Sequence, residues 1–130
     1  MIASKTHSQT YRHTIIFGNL NKKKGKLYIG WYTNAGDFLK EDKAVLKRIV
    51  DVSGKESVPV VFEDLSPGTY AVAVFFDVNN NGKMDKNFLG IPKEKYGFSK
   101  NIYPLMRAAT FKESSFLIPD KEQVSTIRLK

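Results

Sequence analysis

The sequence predicts an all-β fold, with about seven strands in a two-sheet Greek-key sandwich of the immunoglobulin or transthyretin kind. Three observations lead there. Short apolar or alternating stretches recur along the chain, Gly, Pro, Asn and Ser turns separate them, and strand spacing is the dominant period. The length of 130 residues, with 42% hydrophobic and 12% aromatic content, suits one domain and one sizeable core.

Each element has its own reason. In residues 12–20, His13, Ile15 and Phe17 alternate with Thr14 and Ile16, which gives a first strand. A turn over 19–25 leads to residues 26–32, where Leu27, Ile29 and Trp31 share one face. The run Thr33-Asn34-Ala35-Gly36-Asp37 breaks this strand. Residues 38–51 are ambiguous, because Val45, Leu46, Ile49 and Val50 fit either period; a short helical turn at 39–43 and a strand from 45 to 52 is the preferred reading. Ser53-Gly54-Lys55 turns the chain into 58–62, with Val58, Val60 and Phe62 inward. Residues 69–76 are apolar on both faces, as a central strand is. The stretch 86–109 has weak periodicity, so it is expected to fold against the sheet or to carry function. Residues 111–118 and 124–129 supply the last strands, and residues 1–10 read as a polar tail outside a domain of 11–130.

The segment Leu65-Ser66-Pro67-Gly68-Thr69-Tyr70 fits a tyrosine corner, in which the hydroxyl reaches back to upstream backbone. An ordinary half-buried Tyr after a turn fits it equally well.

Composition excludes several chemistries. There is no Cys, hence no disulfide, thiolate nucleophile or Cys-bound zinc. No apolar run approaches the ~20 residues of a membrane-spanning helix, so no transmembrane segment is expected. The first ten residues lack an apolar centre, so the protein is either cytoplasmic or has lost an export signal. The net charge of +8 comes mainly from 17 lysines spread along the chain, with one dense cluster at Lys22-Lys23-Lys24-Gly25-Lys26. Nucleic-acid readers favour Arg forks and stacking aromatics on one face, so no nucleic-acid partner is expected.

One loop stands out. Asp77-Val78-Asn79-Asn80-Asn81-Gly82-Lys83-Met84-Asp85 places oxygen donors at alternate positions before a glycine, as the loops that wrap Ca²⁺ do. Asp77, Asn79, Asn81, the Lys83 carbonyl and Asp85 take the first five ligand positions. Phe88 stands where a bidentate Glu belongs, so Asn87 or Glu94, folding back, is the substitute. Two certain carboxylates imply weak Ca²⁺ affinity, on the order of 10⁻⁴ to 10⁻³ M. The competing reading is a tight Asn-Gly hairpin capped by Asp77.

Enzyme chemistry has little to stand on. His7 and His13 are the two histidines, and no Gly-rich phosphate loop occurs. Spacing alone does not establish Asp77, Asp85 and Glu94 as a carboxylate pair for glycoside hydrolysis, and their Asn-rich surroundings suit a cation better. No enzyme is expected. A second reading uses aromatics: Tyr32, Tyr96 and Phe98 near the loop make a platform for a glycan or a protein partner, while Trp31 and Phe88 read as core.

The run from Phe62 through Pro67-Gly68-Thr69-Tyr70 to Asp77, continued by Asn79, Asn81-Gly82, Asp85, Asn87-Phe88-Leu89-Gly90-Ile91-Pro92, Glu94 and Tyr96-Gly97-Phe98-Ser99, resembles the secreted bacterial family called domain of unknown function 2141. Residues 110–116 resemble that family's later motif without its expected Pro. The resemblance implies a periplasmic, cell-surface or secreted home with the export signal removed, and no enzyme activity. The Pro-Gly-Thr-Tyr strand is also similar to transthyretin-like and collagen-adhesin B-type modules, a likeness of fold alone.

Overall fold

The structure, a computed structural model, describes residues 11–78, 94–105, 107–118 and 121–130. Eight strands form two sheets: β1 (Tyr11–Gly18), β2 (Lys26–Tyr32), β3 (Leu46–Asp51), β4 (Val58–Leu65), β5 (Gly68–Asp77), β6 (Tyr96–Phe98), β7 (Phe116–Ile118) and β8 (Gln123–Arg128). One sheet runs β4-β1-β8 and the other β3-β2-β5-β6, with β7 pairing the start of β5. The all-β sandwich expected from the sequence is what forms.

Alternation builds the core. His13, Ile15 and Phe17 of β1, Leu27, Ile29 and Trp31 of β2, Val58, Val60 and Phe62 of β4, and Val72, Val74 and Phe76 of β5 all turn inward and are buried. Their two faces interdigitate between the sheets, as period-2 patterning requires. Strand β5 lies between β2 and β6, which is why both its faces are apolar.

The two sheets meet along one side. Beyond β8, Leu129 N donates to Gly18 O at 3.0 Å, and Lys130 exchanges two backbone hydrogen bonds with Tyr96 at 2.9 and 3.2 Å. The side chain of Asn101 covers the free edge of β8, donating to Thr126 O and accepting from Arg128 N. The opposite edge, between β3 and β4, stays open; there the Arg48 guanidinium sits 5.4 Å from the Phe62 ring centre.

The tyrosine corner forms, since the Tyr70 hydroxyl donates to Ser66 O at 2.8 Å. Three features differ from expectation. The described residues hold eight strands, because three-residue β6 lay hidden in a stretch without periodicity. Strand β8 runs parallel to β1, His13 facing Gln123 and Phe17 facing Ile127, a pairing that periodicity does not encode. Residues 111–118 are not one strand: Phe111–Ser114 makes a helical turn, α1, before β7. Its cause is local, a capping box in which Thr110 Oγ1 accepts from Glu113 N and Glu113 Oε1 accepts from Thr110 N. The helical turn read at 39–43 is a 3₁₀ turn at Glu41–Lys43.

Inside this frame His13 is 1% exposed. Its Nε2 lies 3.0 Å from Ser125 Oγ, and Nδ1 has no hydrogen-bond partner among the described residues. The ring packs edge-on to Trp31, 5.5 Å between centres. Burial disfavours the imidazolium and holds the His13 pKa below 6.5. The folded state therefore resists a proton that the unfolded chain accepts. The contribution is complete above pH 6.5 and is lost as pH falls from there through the lowered folded value, at no more than about 1.4 kcal/mol per pH unit. Melting followed across this window is expected to show the midpoint falling with pH, and His13→Leu is expected to flatten that slope.

Candidate functional site

The strand directions gather several segments at one end of the sandwich, here called the basal end. They are the turns at 19–25 and 52–57, the end of β5 at Asp77–Val78, and Glu94–Lys95 leading into β6. Val78 and Glu94 thus lie at the same place. Backbone pairing fixes this: Phe76 N donates to Lys95 O at 2.9 Å, and Lys95 Nζ donates to Asn19 O at 2.8 Å.

Two carboxylates mark that place. By alternation Asp77 belongs on the outer face of its sheet, yet it is fully buried; Glu94 is 9% exposed. Glu94 Oε2 accepts from Val78 N at 3.0 Å, so it sits on the amide that directly follows Asp77. Buried carboxylates need compensation from hydrogen bonds or cations. A backbone amide supplies part of it for Glu94. The neighbouring Gly25 backbone comes so close to β5 that a Cβ there would lie 2.6 Å from Asp77 O.

Of the expected metal ligands, the structure places Asp77 and Glu94. Asn79, Asn81, Lys83 and Asp85 lie outside the described residues, as do Asn87 and Phe88. Among the described residues no three His, Cys, Asp or Glu side chains gather to hold a metal.

The aromatic residues are arranged differently from an open platform. Tyr32 and Phe98 are each 5% exposed. Tyr32 folds over Gly30 and meets Phe38 edge-on, 5.3 Å between centres, while Phe38 also meets Phe98 and Phe111. Two of the three rings expected to face solvent are therefore covered on the outer face of the sheet, and Tyr96 is half-buried. The register instead lines up Ile49, Tyr28, Phe75 and Tyr96 across four strands on this outer face. Tyr28 and Phe75 stack on each other, 4.9 Å apart and nearly parallel. Sequence reading missed this row because neither ring is unusual until the pairing of β2 with β5 is known. Tyr103 closes the layer beside Tyr96; burial first, then Tyr96, pushes its hydroxyl up to about 12.

His13 is buried beside Trp31, which was expected in the core and lies there. Among the described residues, no helix is long and apolar enough to cross a membrane.

No curated protein and no solved structure matches the chain. A family model does: the one described as an uncharacterized protein conserved in bacteria (DUF2141) matches residues 15–126, from β1 into β8, and the chain belongs to that family.

Proposed function

We propose that the chain is a non-catalytic, extracytoplasmic binding or structural module whose basal end is stabilised by Ca²⁺. One observation carries the reading: the carboxylate of Glu94 is bound to the Val78 amide, next to the wholly buried Asp77. The fold thereby joins the two ends of an oxygen-rich segment and places an acidic residue at each. A hard cation with six to eight oxygen ligands suits such a donor set. Asn79, Asn81, Asp85 and the Lys83 carbonyl complete the set on the strength of their spacing in the sequence. Glu94 takes the role of the missing bidentate Glu.

The non-catalytic part is supported by the placement of His13, which is buried among Trp31, Phe116 and Ser125. An extracytoplasmic home fits the weak affinity, because such modules meet millimolar Ca²⁺.

Thermal melting in chelator and in CaCl₂ tests the reading. A ligand held only by the folded state at ten times its Kd adds about 1.4 kcal/mol, which is about 5 °C in a domain of this size. Asp77→Asn is expected to abolish the shift, and Glu94→Gln to reduce it. An unchanged midpoint at ~10 mM CaCl₂, a concentration ten times the weakest affinity expected, removes the Ca²⁺ reading.

A further inference from the structure

We propose that the basal end docks on an anionic phospholipid surface through Lys22, Lys23, Lys24 and Lys55. These lysines stand on the tips of two adjoining turns. Lys23 N donates to Leu20 O, with positive φ at both central residues, Asn21 and Lys22. Lys55 N donates to Val52 O, with positive φ at both Ser53 and Gly54. Both have the I′ pattern of tight hairpins. The turns touch, since a Cβ on Gly54 would lie 3.5 Å from Lys22 O and 3.7 Å from Lys24 Cγ. All four lysines are exposed, and among the described residues no ion pair holds any of them. Lys24 and Lys26 also face an open cleft with Ser53, between the turns and Val78.

Lys22 is the most telling of the four. Its φ of 56° is one that Asn or Gly adopts readily and Lys adopts at a cost. The fold keeps a strained lysine at a tip where a relaxed residue was open to it, and strain held in place points to a use. The distribution of charge agrees. The exposed acids among the described residues of this end are Asp51 and Glu56, and Asp51 already accepts from Ser53 N at 2.8 Å. The opposite end mixes signs and pairs them, as in Arg12–Glu63 and Arg107–Glu113.

The surface chemistry selects the partner. Lysine is a compact point charge suited to diffuse attraction, and among the described residues of this end Arg128 is the single arginine beside these lysines. Two adjoining turn tips that carry exposed lysines suit a flat anionic sheet. The proposal does not rest on Ca²⁺, so its test runs in excess chelator.

The full chain is sedimented with vesicles of phosphatidylcholine alone and with about one-third phosphatidylglycerol, at low and high salt. Binding is expected only to the anionic vesicles and is expected to vanish at high salt. The set Lys22→Glu, Lys23→Glu, Lys24→Glu and Lys55→Glu is expected to lower partitioning about a hundredfold. The same reversal at Lys40, Lys43, Lys112 and Lys121, at the other end, is expected to leave most of it. Lys22→Gly separates binding from folding, since it is expected to raise the melting midpoint while weakening partitioning several-fold. The proposal is overturned if the wild-type chain ignores anionic vesicles, if reversal at the other end is as damaging, or if duplex DNA is bound more tightly than the vesicles.

Discussion

Trp31→Ala is expected to lower the stability of the domain by about 4 kcal/mol, close to the whole margin of a small protein. The indole is fully buried and lies where the sheets and the tyrosine corner converge. Phe62 lies 5.0 Å from it and Tyr70 5.7 Å, both edge-on, with His13 and Phe116 completing the ring. Truncation removes the largest apolar group in the core and leaves a void bordered by four rings held by separate strands. Those strands are paired in two different sheets and cannot all move inward, so little of the void closes. Trp31→Phe is expected to cost less than half as much. It keeps most of the volume and removes an indole N–H that has no hydrogen-bond partner among the described residues. Urea unfolding followed by circular dichroism measures both, since Trp31 is the sole tryptophan and its fluorescence goes with it. Unchanged slopes with displaced midpoints are expected. An alanine variant within about 1 kcal/mol of the parent contradicts the packing described here, because a cavity of that size costs several times more.

The inward faces of β1, β2 and β4 were legible because a buried strand leaves a period of two in the sequence, and β2 was legible to both its ends. Strand β5 was legible as a central strand because both its faces are apolar. What the sequence hid, it hid for identifiable reasons. Strand β6 has three residues, too few for a period to show, and Gly97 faces the core where a side chain would announce itself. Only Gly fits there, since a Cβ would lie 2.8 Å from Ile127 Cγ2. The parallel pairing of β1 with β8 depends on residues about 110 apart, and no local pattern carries that information. The turn α1 is different, because Thr110 and Glu113 already form a recognisable capping pair in the sequence; the apolar run after it outweighed that signal. At the basal end, Asp77 was marked by its loop pattern. The contact of Glu94 with the Val78 amide spans sixteen residues and appears only once β5 and β6 are paired. Tyr32 misled because alternation places it outward. Its neighbour two positions earlier is Gly30, and the ring fills the space that glycine leaves.

Gly25→Ala is expected to be the most damaging single-methyl substitution at the basal end, at about 3 kcal/mol or more. Two costs add. Gly25 has φ of 154°, a conformation that side-chain-bearing residues rarely adopt, and strain of this kind costs about 1–3 kcal/mol. The new Cβ would also lie 2.6 Å from Asp77 O, 2.7 Å from Phe76 Cε1 and 3.1 Å from Val78 Cα. Two of these neighbours are backbone, and Phe76 is a buried core ring, so β5 itself must shift. A hydrogen bond from Val52 N to Gly25 O at 3.1 Å ties the residue to the second lysine turn. A displaced β5 end carries Asp77 and the Val78 amide away from Glu94. The substitution therefore has a second expected readout, loss of any Ca²⁺-dependent rise in melting midpoint, with the fold still present by circular dichroism at low temperature. Gly54→Ala is the matched control: φ is positive there too, at 72°, but the nearest atom to its Cβ is 3.5 Å away. It is expected to cost only the conformational part, about 1 kcal/mol, and to leave the Asp77–Glu94 arrangement intact. If the two variants lose equal stability, the close approach of Gly25 to β5 is not what holds this end together.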